Sequence, residues 1–193
     1  MSHRFTFAGK ELLFIHIPKT GGFSICDAFG IKAGGHKPRT AFEDELFSFS
    51  FVRNPWDRCV SAFFYLNNGG IDEGDKRDYR IYLSKYAGQF DLFVRETFQG
   101  QEPAIFNQKH FRPQYEFVCD PNGMLLVDFI GRFENLQFGY NRLCKLLELP
   151  SVTLGHLNSC SHKNYQEYYT PETSQLIRQA YLQDVELFGY TFN

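Results

Sequence analysis

Residues 14–24, Phe-Ile-His-Ile-Pro-Lys-Thr-Gly-Gly-Phe-Ser, join an apolar stretch to a short turn that opens an amphipathic segment. Gly21 and Gly22 allow the backbone to turn sharply and to approach a ligand closely. The first amides of the following helix point outward, and Lys19 adds a positive charge beside them. The order of strand, glycine turn and helix therefore predicts a phosphate-binding loop. In the loop of nucleotide triphosphatases, G-x-x-x-x-G-K-[ST], the lysine follows the glycines, whereas Lys19 precedes them.

A second informative segment runs from Phe47 to Tyr65, and it begins with phenylalanine and serine in alternation. An alternation of period two predicts a strand from Phe47 to Arg53. Pro55 suits the first turn of the helix expected next. Arg53 at the end of the strand and Ser61, two turns into the helix, are therefore candidates to bind a second phosphate.

The two motifs, I-P-K-T-G-G-x-S and the later F-V-R-N-P-x-x-R-x-x-S-A, resemble the paired nucleotide-binding signature of the carbohydrate-type sulfotransferases. These enzymes use 3′-phosphoadenosine 5′-phosphosulfate (PAPS). The group with Pro-Lys-Thr-Gly-Gly loops, which includes heparan and chondroitin sulfotransferases and small bacterial relatives, is the most similar. Further segments that resemble the family lie at 110–114, 127–134, 157–159 and 168–172, so the resemblance covers most of the chain.

The fold implied by this resemblance is a single P-loop-like sulfotransferase domain over residues 1–193. It is a three-layer α/β domain, with helices flanking a mainly parallel central sheet. The alternation of strand and helix patterns along the chain favours the same architecture.

The resemblance also implies roles for individual residues. The first motif would hold the 5′-phosphosulfate and the second the 3′-phosphate, and Lys19 would be catalytic because its charge stabilises the departing bridge oxygen. In related enzymes a late basic loop closes over the nucleotide. The residues expected to contact PAPS are Lys19, Thr20, Gly21, Gly22, Phe23, Ser24, Arg53, Ser61, His162 and Lys163.

The general base is expected to be His36. In the heparan 2-O-sulfotransferase group a histidine lies between the two phosphate motifs, and Gly-Gly-His-Lys-Pro at 34–38 matches that placement. Histidine is also the side chain whose intrinsic pKa lies closest to neutrality. A solvated loop histidine is the alternative reading of His36. Glu43 or Asp44 with a raised pKa, or His110, would replace it as base.

The net charge and the cysteine content restrict the kinds of molecule that the chain is expected to bind. The chain of 193 residues has 20 basic and 22 acidic side chains and a net charge of −2, which predicts no general affinity for nucleic acid. We expect a small-molecule or glycan acceptor, and the sequence leaves the oligomeric state open. The five cysteines include no C-x-x-C pair, so neither a disulfide framework nor a metal site is expected.

The sequence contains no apolar run long enough for a signal peptide or a membrane anchor, which predicts a soluble, cytoplasmic enzyme. Two other functions compete with sulfotransfer. A small-molecule kinase would need a metal-binding loop hydroxyl and usually an acidic residue at a strand end, where this chain has Arg53. A non-catalytic nucleotide-binding module is the third alternative, and only turnover distinguishes it.

The remaining pattern predicts further elements and one mobile loop, at Asn67–Asp78. The predicted strands are Leu12–Ile17 and Met124–Ile130, and the predicted helices are Phe23–Phe29, Trp56–Leu66, Arg80–Tyr86, Phe90–Phe98, Asn135–Leu147 and Pro171–Leu187, the last with Thr170 as N-cap.

Overall fold

The structure is a computed structural model that describes residues 3–39, 46–99, 103–155 and 163–193. The chain divides into two compact units: the first comprises residues 1–53 and 114–159, and the second residues 54–113 and 160–193. The presence of a single sulfotransferase domain stays a prediction.

The described strands are β1 (His3–Phe7), β2 (Lys10–Ile15), β3 (Phe47–Val52) and β4 (Phe129–Arg132). The α-helices are α1 (Gly22–Ala28), α2 (Pro55–Asn67), α3 (Glu73–Asp78), α4 (Phe90–Thr97), α5 (Tyr115–Val118), α6 (Leu136–Leu146), α7 (Pro171–Ala180) and α8 (Leu182–Phe188). No helix in the described ranges has both the length and the apolar character needed to cross a bilayer.

The first unit is built on a four-stranded sheet in the order β1-β2-β3-β4. β1 and β2 form an antiparallel hairpin, whereas β3 pairs in parallel with both β2 and β4. The prediction of a mixed α/β fold with helices beside a sheet is therefore confirmed. Sequence analysis missed β1, whose alternating residues are only half-buried because it forms the edge of the sheet.

Apart from Phe47, which is half-buried, the phenylalanine and serine residues of β3 are buried on both faces of the sheet. Ser50 Oγ donates to the Ile15 carbonyl at 2.7 Å, and Ser48 Oγ donates to the Asp128 carboxylate at 2.8 Å. Buried hydroxyls need hydrogen-bond partners. The two serines find theirs in β2 on one side of β3 and in the residue before β4 on the other. The strand prediction is confirmed, although its polar face does not meet solvent.

Aromatic side chains form the core between this sheet and helices α1 and α6. Phe14 stacks on Phe49 with ring centroids 5.0 Å apart, and Phe29 contacts Tyr140 at 5.5 Å. β4 approaches β3 closely at Gly131, where a Cβ atom would lie 2.2 Å from the Phe51 ring. These contacts fix the sheet beneath the turn that joins β2 to α1.

The second unit contains α2, α3, α4, α7 and α8. The Asn54 side chain accepts a hydrogen bond from Trp56 N, and Pro55 occupies the first helical position of α2 as expected. Trp56 is buried, and its Nε1 donates to the Ser174 carbonyl of α7 at 2.8 Å. The tryptophan therefore serves the core of this unit, with its one polar atom satisfied.

The prediction of a mobile loop at Asn67–Asp78 is wrong in its second half, because helix α3 forms there. The Asp72 side chain caps it by accepting from Asp75 N at 2.8 Å. Asp75 is buried and accepts hydrogen bonds from Tyr65 Oη at 2.5 Å and from Ile71 N at 3.2 Å. A polar sequence therefore folds around one buried carboxylate, which composition alone does not reveal.

Other boundaries also differ from expectation. The strand expected at Met124–Ile130 begins only at Phe129, and residues before it form a single bridge between Cys119 and Leu125. The expected final helix is interrupted at Tyr181, which separates α7 from α8. The segment Arg80–Tyr86 is π-helical and then 3-10.

Helix α7 begins with a reciprocal cap that yields a stability prediction. Thr170 Oγ1 accepts from Thr173 N at 3.2 Å, and the Thr173 hydroxyl accepts from Thr170 N at 2.9 Å. Replacing Thr170 by Ala removes this acceptor and should lower the free energy of unfolding by about 1 kcal/mol. Thr170→Ser keeps the hydroxyl and should stay close to wild type in denaturant titrations. Equal stability of the Ala variant and wild type would contradict this role of the cap.

Candidate functional site

The turn between β2 and α1 passes through two residues in the left-handed region. Lys19 has φ 69°, and Gly21, the N-cap of α1, has φ 82°. Glycine adopts this conformation without strain, whereas for a residue such as Lys19 it costs about 1–2 kcal/mol. A Cβ atom at Gly21 would also lie 2.7 Å from Leu136 Cδ2. Neighbouring structure must therefore hold the turn in this shape.

Gly22 lies directly against the ring of His16. A Cβ atom at Gly22 would lie 2.0 Å from His16 Nε2, so no other residue fits there without moving the ring. His16 is buried, and this burial, together with the neighbouring His36 and His3, holds its pKa well below the ordinary value. The imidazole of His16 is therefore neutral at pH 7. The His16 ring is thus packed in the interior, and its Nδ1 is buried without a hydrogen-bond partner among the described residues.

His36 reaches back to the start of the turn. Its Nδ1 lies 2.9 Å from the carbonyl oxygen of His16, and the two rings are 4.3 Å apart between centroids. A carbonyl oxygen only accepts, so Nδ1 carries the proton and Nε2 keeps the lone pair of the neutral ring. The structure therefore places His36 beside the loop in the tautomer that a base acting through Nε2 needs.

Arg53 supports the turn from the end of β3. Its Nη1 donates to the carbonyl oxygen of Lys19 at 3.1 Å, and its guanidinium lies over the Phe133 ring at 4.0 Å. The Arg53 backbone exchanges two hydrogen bonds of 2.8 Å with the side-chain amide of Gln114. Sequence analysis missed both Phe133 and Gln114 as supporting residues. Their only signal was that each lies in a segment resembling the family.

The two loop hydroxyls predicted to contact a ligand donate to backbone carbonyls instead. Thr20 is buried, and its Oγ1 donates to Ile17 at 2.9 Å. Ser24 Oγ donates to Gly155 at 2.6 Å, which connects α1 to the chain beyond α6. Each hydroxyl oxygen retains lone pairs, but its proton is engaged in this structure. Their role as phosphate donors stays a prediction that requires the hydroxyls to rotate.

Other predicted residues fall in the second unit or outside the described ranges. Ser61 is buried in α2, and Lys163 is exposed, with its Nζ 3.9 Å from a Glu167 carboxylate oxygen. His110 is buried and its Nδ1 lies 2.9 Å from Gln108 Nε2, so it is held within the second unit. The candidates that lie outside the described residues are His162, Glu43 and Asp44.

Comparisons with known proteins identify the family of the chain. A family model described as "Sulfotransferase family" matches residues 2–191. A protein from Archaeoglobus fulgidus, named only as uncharacterized, is 29% identical over 126 residues, which cover 64% of this chain and 86% of that protein. No solved structure matches.

The contact between Gly22 and His16 predicts a specific rescue. Gly22→Ala places a methyl group into the His16 ring and should destabilise the protein by about 1–3 kcal/mol, as overpacked cores do. His16→Ala opens that space, so the double variant should lose less stability than the two single losses add up to. Melting temperatures of the four proteins test this. Additive losses would show that the ring does not define the space at Gly22.

Proposed function

The chain belongs to the sulfotransferase family, and we propose that it transfers a sulfuryl group from PAPS to a hydroxyl of a carbohydrate or glycan acceptor. The observation that carries this proposal is the strained turn at Lys19, which Arg53 holds from the neighbouring strand. Both residues come from the two motifs that resemble the PAPS signature.

The donor is proposed to lie where the two motifs end their strands. β2 and β3 are parallel neighbours, and in open α/β sheets ligands bind beyond the carboxyl ends of such strands. The turn from Lys19 to Gly22 follows β2, and Arg53 follows β3. The 5′-phosphosulfate would face the amides of the turn, and the 3′-phosphate would lie toward Arg53.

During the reaction, negative charge develops on the leaving oxygen and the acceptor hydroxyl loses a proton. A bond forms between the acceptor oxygen and sulfur while the bond between sulfur and the bridging phosphate oxygen breaks, so negative charge develops on that bridging oxygen. The Lys19 ammonium group would stabilise this charge, and the product 3′,5′-ADP would carry it away. The acceptor hydroxyl loses its proton to a base.

His36 is the proposed base. The hydrogen bond from Nδ1 to the His16 carbonyl leaves Nε2 as the proton acceptor, and it also orients the ring. Beside it, His16 stays neutral because it is buried, so it adds no positive charge that would oppose proton uptake by His36. The placement matches the heparan 2-O-sulfotransferase group, and membership of that group is part of the proposal.

The proposal includes further assignments. The roles of Ser61, Lys163 and His162 in binding PAPS stay predictions, as do the three-layer P-loop-like architecture and the cytoplasmic location. The family match favours sulfuryl transfer over the phosphoryl transfer of a kinase, and Arg53 occupies the strand end at which a kinase usually has a carboxylate. A non-catalytic module is excluded only by measured turnover.

Replacing Lys19 tests the function directly. Lys19→Ala should lower the rate of sulfate transfer from radiolabelled PAPS by about 100- to 1,000-fold, because one preorganised donor to the developing charge is lost. Affinity for 3′,5′-ADP should survive in part, as measured by calorimetry. Lys32→Ala, at an exposed lysine beyond α1, is the matched control for loss of one positive charge. A wild-type rate in Lys19→Ala would refute the assignment.

The base assignment makes a separate prediction. His36→Ala should keep wild-type affinity for 3′,5′-ADP and lose about 100- to 10,000-fold in rate, the usual contribution of a general base. Lys37→Ala alters the adjacent exposed side chain and controls for disturbance of this segment. If His36→Ala retains most of its rate, Glu43, Asp44 or His110 becomes the better candidate.

A further inference from the structure

Three side chains from separate elements of the first unit converge behind the phosphate loop. His3 of β1, His16 after β2 and Cys26 of α1 each offer one ligand atom, and these atoms all lie within 4.8 Å of one another. The hairpin register explains the two histidines. His3 pairs with Phe14, and His16 lies two residues beyond Phe14 on the same face.

The helix supplies the third side chain. Cys26 lies one turn after Gly22, so both residues occupy the same face of α1. Gly22 is in contact with the His16 ring, and the absence of a side chain there lets the helix approach β2 closely. Cys26 is 1% exposed and carries a free thiol. The close approach therefore brings a sulfur atom to the two imidazoles.

In each of the two histidines, one ring nitrogen is buried and has no hydrogen-bond partner in the part of the chain that the structure describes. These atoms are His3 Nε2 and His16 Nδ1, although both rings also interact with the Gly34 backbone. A buried polar atom without a hydrogen-bond partner destabilises the folded state, so two such atoms close together need a physical explanation. Burial is the largest cause that lowers the pKa of both imidazoles, which keeps them neutral with a lone pair available.

We propose that His3, His16 and Cys26 form a binding site for a Zn²⁺-type transition-metal ion. Two imidazole nitrogens and one thiolate are the donor types that Zn²⁺ prefers, and three protein ligands leave one coordination position for a further donor. Binding forms a metal–sulfur bond and releases the Cys26 thiol proton to solvent. The ion would tie the edge strand β1 to β2 and α1.

Burial raises the pKa of the Cys26 thiol to about 12, and a bound cation reverses that effect by stabilising the thiolate. The site departs from the expectation of no metal, which rested on the lack of closely spaced cysteines. Its ligands lie far apart in sequence and meet only because the hairpin and α1 pack together. The proposal does not depend on the sulfotransferase chemistry.

Cobalt titration of the metal-free full-length chain tests this site. Co²⁺ alone should bind once per chain and give the near-ultraviolet absorption of a thiolate-to-cobalt bond, and Zn²⁺ should displace it and raise the melting temperature. Cys26→Ser should abolish the band. His3→Ala should weaken Co²⁺ affinity by more than the roughly 10- to 100-fold typical of removing a supporting group.

Control variants distinguish the loss of a metal ligand from a loss of folding. Cys119→Ser removes another buried free thiol of the same unit and should leave the cobalt band unchanged. If Cys26→Ser fails to fold, His3→Ala decides, because it changes a half-buried side chain on the edge strand. Absence of a cobalt band in the wild type, or wild-type affinity in either ligand variant, overturns the proposal.

Discussion

The hydrogen bond from the Arg53 guanidinium to the Lys19 carbonyl is the interaction on which the site depends. Lys19 adopts a left-handed conformation that is unfavourable for a side chain with a Cβ atom, so its turn needs support from outside. Arg53 provides that support because its backbone forms two hydrogen bonds with the Gln114 side chain and its guanidinium packs against the Phe133 ring. The end of β3 thus determines the shape of the loop after β2.

The elements that carry the site were predictable because their signals are local. The glycine turn after β2 and the alternation in β3 predicted strands and helices whose bounds lie within two residues of the observed ones. Edge strand β1 was missed because Arg4 and Thr6 face solvent and its inward-facing residues are only half-buried. Helix α3 was missed because Asp75, which organises it, is buried by partners outside the helix, among them Tyr65, Ile71 and Lys109. Long-range partners of this kind have no local sequence signature.

Individual site contacts were less predictable than the elements. The sequence indicates which polar groups lie near the turn, but not which partner each one meets. Thr20 and Ser24 donate to backbone carbonyls, and His36 is oriented by the carbonyl of His16. The same limit applies to Cys26, whose nearness to two histidines follows from the packing of α1 against the hairpin. The sequence therefore identifies Lys19, Arg53 and His36 as candidates, but not the cluster of His3, His16 and Cys26.

We propose that the turn at Lys19 and the end of β3 together form a site for a nucleotide with phosphates at both its 3′ and 5′ positions. The most direct measurement is the melting temperature of the full chain with 3′,5′-ADP, with 5′-AMP and with Mg-ATP, since a ligand that binds only the folded state raises it. We expect a clear rise with 3′,5′-ADP, a smaller rise with 5′-AMP and none with Mg-ATP. A rise with Mg-ATP alone would contradict it.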